Sequence, residues 1–102
     1  MIKVRINKNK IVMTGHAEYA EENDIVCAAV SSIVTTSINA CLKIEANSLI
    51  HKEIYEGKEL SKLTIEVTSD NKSILLIVEN MIAMLEELAL TYKKNIKIIK
   101  ED

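Results

Sequence analysis

The chain has 102 residues, 13 basic and 15 acidic side chains, a net charge of −2 and 48% apolar residues. This predicts one domain over residues 1–102 with a real core rather than a disordered tail, and it leaves no clustered basic face for direct nucleic-acid binding. No uninterrupted apolar run reaches the roughly 18 residues of a membrane span, and the alternating N-terminus is unlike a signal peptide, so a cytoplasmic protein without membrane association is expected.

Ile2, Val4 and Ile6 alternate with Lys3, Arg5 and Asn7, the pattern of a half-buried strand. After a polar turn at residues 7–10, a second strand sets Ile11 and Met13 opposite Val12 and Thr14. It ends at Gly15-His16, and the two strands read as a hairpin. Residues 17–23 form a polar, acidic connection, expected to be more mobile than its flanks. Asp24 opens a long helix, because its carboxylate can accept hydrogen bonds from the free amides of the first turn. As far as Ile44, Val26, Val30, Val34, Ile38 and Cys41 recur at helical spacing, and Ala29 and Ile33 widen the apolar arc. Such a helix is covered on more than one side. Its many β-branched residues mean that packing, not propensity, keeps it helical.

A strand over Leu49 to Tyr55, a turn at Gly57 and a strand alternating through Leu63, Ile65 and Val67 come next. Ser69-Asp70-Asn71 is a helix-start cluster. The second helix is expected from Lys72 to Lys93, with one stripe through Ile74, Met81, Leu85, Leu88 and Tyr92 and another through Leu75, Ile82 and Ala89. Ile96, Ile98 and Ile99 close the chain in a strand. The order ββαββαβ predicts an α+β fold, a two-layer arrangement of a mostly antiparallel sheet with both helices on one face. The apolar helix surface exceeds what one small sheet can cover, which predicts a homodimer.

His16 at a strand end and Asp24 and Cys27 at a helix start are the residues best placed for chemistry. With Asp24 as cap, Cys27 is the third helical residue, where the helix carries partial positive charge. A thiolate is stabilised there and becomes a better nucleophile at neutral pH. A neighbouring His16 would hold the ion pair and protonate a leaving amine. The amides of the helix start, that of Cys27 included, are candidates to stabilise an oxyanion. Asp24 either caps the helix or orients His16. Ser31, one turn beyond Cys27, could reach the same site. Taken singly, a cysteine in a helix is most often a small buried hydrophobe. Cys41 lies 14 residues after Cys27, roughly 21 Å along a helix, too far for a disulfide. His51 reads as solvated, Met81 and Met84 as core or interface filler, and Lys93-Lys94 as complements to a helix C-terminus. With two Cys and two His in no ligand spacing, neither a metal site nor a cofactor is expected.

Gly15-His16-Ala17 followed by Asp24-Ile-Val-Cys-Ala-Ala-Val-Ser31 resembles the ribosomal-processing cysteine protease Prp family of bacteria. The resemblance implies a homodimeric cysteine endopeptidase that removes the N-terminal extension of a large-subunit ribosomal protein. It places the nucleophile on Cys27, the catalytic histidine on His16 and supporting roles on Asp24, Ser31 and Gly15. It also makes Ala17, Glu18, Tyr19, Ala20, Glu21, Glu22 and Asn23 the substrate loop. Family members usually carry glycine in that loop and this chain has none, so the loop should be stiffer. The other reading is a non-catalytic dimeric binding module associated with ribosomal proteins, with Cys27 buried and inert.

Overall fold

The computed structural model describes residues 1–21 and 24–101. The elements follow the expected order: β1 (Ile2–Asn7), β2 (Lys10–Thr14), α1 (Ile25–Ile44), β3 (Leu49–Glu56), β4 (Glu59–Val67), α2 (Lys72–Thr91) and β5 (Ile96–Glu101). The five strands form one sheet in the order β3-β4-β2-β1-β5. Neighbours are antiparallel except β1 and β5, which run parallel with Val4 opposite Ile98.

Alternation decides which face of the sheet is covered. Ile2, Val4, Ile11, Met13, Leu63, Ile65 and Val67 are buried, and between them Lys3, Arg5 and Glu66 are exposed. The stripe Val26, Val30, Val34, Ile38 and Cys41 of α1 and the residues Ile74, Met81 and Leu85 of α2 complete the core. A fully buried side chain of this size contributes about 1.5–3 kcal/mol of hydrophobic stabilisation. α1 is long and apolar enough to cross a membrane by length and composition. Uninterrupted apolar runs do not register this, because Ser and Thr are scattered through it; in the fold α1 is the central core helix.

The structure refines the sequence reading in several details. α2 ends at Thr91, with Tyr92 as its cap, because the Tyr92 carbonyl turns to accept the amides of Asn95 and Ile96. Lys93 and Lys94 therefore lie in the turn beyond the helix. Leu75, on the second apolar stripe, is exposed, as are Leu76 and Leu90 further round α2, so part of the apolar helix surface is left uncovered by the sheet. Met81 is core but Met84 is exposed. β3 is buried only at Leu49, so the β3–β4 hairpin extends past the helix layer and stands as a wall beside α1.

Gly15 fixes where that wall meets the first hairpin. Its φ is +84°, and a Cβ there would collide with the Met1 carbonyl oxygen. Gly57, at the turn of the β3–β4 hairpin, has φ +64° but open space around it. Gly57→Ala should therefore cost about 1 kcal/mol from backbone strain alone, and Gly15→Ala about 2 kcal/mol or more, strain and collision together. Urea midpoints of the two variants check the ranking.

Candidate active site

The site is built where β2 ends and α1 begins. Asp24 has extended backbone and caps α1, so Cys27 is the third helical residue. One carboxylate oxygen of Asp24 accepts the amides of Val26 at 2.9 Å and Cys27 at 3.1 Å. The other accepts those of Tyr19 at 3.0 Å and Ala20 at 3.3 Å. Desolvation alone would raise the pKa of this carboxyl, but the amides of Cys27, Ala20, Tyr19 and Val26 together outweigh it and hold the group below its ordinary value. The hydrogen bonds that Asp24 accepts here come from backbone amides, the arrangement of a helix cap. The amides of Val26 and Cys27, candidates for an oxyanion, both donate to Asp24 in this structure.

Between His16 and Asp24 the chain is tied down at several points. Ala17 is fully buried, where the sequence suggests a polar connection away from the core. Its N–H donates to Cys27 Sγ at 3.4 Å, and its carbonyl accepts the side-chain amide of Asn95 at 2.8 Å. Glu18 has a left-handed backbone, φ +56°, and its carboxylate lies 3.6 Å from the Met1 amino group. The Tyr19 ring meets Tyr92 edge-on, with centroids 5.4 Å apart. Glu22 and Asn23 of the expected substrate loop lie outside the described residues.

These elements surround a cleft of about 500 Å³ between α1 and the β3–β4 hairpin. Gly15 and His16 close one end, Cys27, Ser31 and Val34 line the α1 side, and Leu60 and Leu63 line the hairpin side. All five of the singled-out residues, Gly15, His16, Asp24, Cys27 and Ser31, thus face one cavity. His16 Nε2 stands 3.6 Å from Glu59 Oε2, an ion pair when the imidazole is protonated. Cys41 is 1% exposed, and burial pushes its thiol up. His51 is exposed on β3, and no cluster of metal-ligating side chains occurs among the described residues. Sequence reasoning did not find Glu59 or Asn95. Each reaches the site from a strand or turn far along the chain, and neither carries a local signal.

Residues 1–97 match the family described as cysteine protease Prp. A ribosomal processing cysteine protease Prp of Mycoplasma pneumoniae is 31% identical over 93 residues, 90% of this chain and 87% of that protein. The crystal structure of an essential ribosomal processing protease Prp from S. aureus, with a covalently linked product peptide, superimposes with a TM-score of 0.85. It is 28% identical and covers 99% of this chain and 100% of its own. The same S. aureus protease with a substrate peptide gives a TM-score of 0.79 at 27% identity, covering 99% and 100% of the two chains. A thiol at a helix start and a histidine that line one peptide-sized cleft are the equipment of a cysteine protease. The chain belongs to the Prp family of cysteine proteases.

Two expectations follow for the native protein. Iodoacetamide should add one group, at Cys27, and modify Cys41 only after unfolding; intact-mass spectrometry with peptide mapping reads both. The Asp24 carboxyl has a lowered folded-state value, so its contribution to stability is present above about pH 3.8 and is lost as pH falls through that lowered value. Asp24→Ala should therefore be less stable at neutral pH and lose less on acidification than the parent, as measured by urea unfolding across that range.

Proposed function

We propose that the protein is an endopeptidase that removes the N-terminal extension of a large-subunit ribosomal protein, with Cys27 as nucleophile and His16 as general acid and base. One observation supports this above the rest: Cys27 Sγ lies at the start of α1, within the same cleft as His16, with the Ala17 N–H aimed at the sulfur. The helix start favours an electron-rich sulfur. The peptide-bound S. aureus structures support the substrate class, since that protease is 28% identical over the whole chain.

In the first half-reaction His16 takes the thiol proton and the sulfur attacks the scissile carbonyl. The C–N bond then breaks, His16 gives its proton to the departing amine, and a thioester remains on Cys27. Water, deprotonated by His16, attacks the thioester and frees the acid and the thiol. Glu59 stands where it steadies the imidazolium that forms between the two proton transfers. Asp24 builds the frame by capping α1 and holding the loop, and Ser31 borders the substrate channel one turn along.

The reading includes a cytoplasmic location, where ribosomes assemble, and a homodimer. Leu76 and Leu90 support the dimer: they are 65% and 71% exposed at a seven-residue-multiple spacing on α2, so they share one face. Sedimentation at micromolar concentration should give twice 11.4 kDa, and a monomer mass would overturn this part.

Cleavage of a synthetic peptide that carries the sequence of such an extension tests the activity. Cys27→Ser and His16→Ala should each lower kcat by about 10³-fold or more with the fold retained. Cys41→Ser should cleave at the parental rate, because that thiol sits in the core about four helical turns away. Parental activity in Cys27→Ser would overturn the reading.

A further inference from the structure

We propose that the backbone N–H of Ala17 is an oxyanion donor of this site and that Asn95 is the positioning residue that aims it. This rests on the protease reading above. Five amides around Cys27 are committed to oxygen acceptors. Those of Val26 and Cys27 donate to one Asp24 oxygen, those of Tyr19 and Ala20 to the other, and that of Ala28 to the Asp24 carbonyl at 3.0 Å. Each has an oxygen acceptor that holds the fold together. The Ala17 N–H instead points at the sulfur, 3.4 Å away, and sulfur is a weak acceptor.

That bond is therefore the easiest of the set to exchange. When Cys27 Sγ bonds to the substrate carbonyl carbon, the oxygen that gains negative charge is attached to that same carbon, two bonds from the sulfur. A donor already directed at the sulfur needs only a small adjustment to reach it. A fixed N–H at such a place stabilises charge that develops only as the reaction proceeds.

The fixing comes from the rest of Ala17. Its methyl group is fully buried, and its carbonyl receives the Asn95 side-chain amide at 2.8 Å. With side chain and carbonyl both held, Ala17 is anchored at its Cα, and the N–H that it presents to the sulfur is anchored with it. Asn95 lies in the turn after α2. Its own N–H donates to the Tyr92 carbonyl and its carbonyl accepts the Ile2 amide, bonds that any residue there could make. Asparagine is common where the backbone is left-handed, but among described non-glycine residues only Lys8 and Glu18 have positive φ. What position 95 uses is thus the side-chain amide.

The test uses the full chain. Because Cys27 allows ligation, residues 1–26 can be supplied as a synthetic segment with Ala17 replaced by lactate. This replaces the N–H with an ester oxygen and keeps the methyl group. Asn95→Ala and Asn95→Gln are made alongside it, with thermal unfolding to verify the fold. Each is assayed for kcat and KM on the extension peptide and for Cys27 alkylation by iodoacetamide, a substitution in which no oxyanion forms. The ester variant should lose about 10²–10³-fold in kcat with KM within threefold and alkylation within threefold. Asn95→Ala should shift the same way by about tenfold, and Asn95→Gln, which keeps the donor, should recover part of it.

A kcat within threefold of the parent in both the ester and Asn95→Ala proteins overturns the proposal. So does an equal fall in kcat and alkylation, which would mean that the N–H serves only the sulfur. A change in KM alone for Asn95→Ala overturns the positioning role. If the parent itself does not cleave, the protease reading fails, and this inference falls with it; a parent that cleaves while the variants match it leaves that reading intact.

Discussion

The hydrogen bonds that Asp24 accepts from four backbone amides fix both the first turn of α1 and the course of the chain leaving β2. Cys27 depends on the first pair for its place on the helix, and the loop beside it depends on the second. A carboxylate suits this work because it offers two oxygens that can serve opposite directions, and because donors are the only neighbours it needs. Of the two roles the sequence offers this side chain, the structure displays the architectural one. His16 is left to face Glu59 across the cleft.

The described part of the loop achieves with contacts what glycine would achieve with freedom. A left-handed backbone costs a residue such as Glu18 about 1–2 kcal/mol. It persists because its neighbours are held: Ala17 in the core, Tyr19 and Ala20 on Asp24, and the Tyr19 ring on Tyr92. The conformation turns the chain sharply enough for consecutive amides to reach one carboxylate oxygen. Conformational strain and hydrogen-bond satisfaction are thus two aspects of one local structure.

The elements were legible in the sequence wherever a period carried them. Alternation in β1 and β4 and the seam Val26, Val30, Val34, Ile38 and Cys41 specify faces as well as types, and the structure buries those residues, Ile6 near the end of β1 only in part. The cap at Asp24 was legible because capping is a local arrangement between a side chain and the next few amides. β3 was legible as a strand but not as a free-standing wall, because its exposure depends on how far the helices extend over the sheet. Leu75 was legible as a member of a stripe but not as an exposed one, for a related reason: a stripe shows which residues share a side, not whether anything covers them. Around the site, the motif residues share a cleft as their spacing suggested. The buried state of Ala17 and the nearness of Asn95 and Glu59 could not be read, since each arises from segments brought together only by the sheet. The allocation of amides among acceptors was equally hidden, because every residue but proline carries the same donor.

The bond between Asn95 and Ala17 joins residues separated by 78 positions, and the strand just after Asn95 lies parallel against β1, the strand made first. Ribosomal synthesis delivers these partners at opposite ends of its timetable. The histidine, the cysteine and their helix emerge early, but the turn that steadies the loop and the strand that seals the sheet edge emerge last. Contacts of such long sequence separation form late and slowly in folding. The cleft therefore reaches its final shape only once the far end of the domain has left the ribosome. A nascent or prematurely ended chain holds the reactive groups without the frame that aims them.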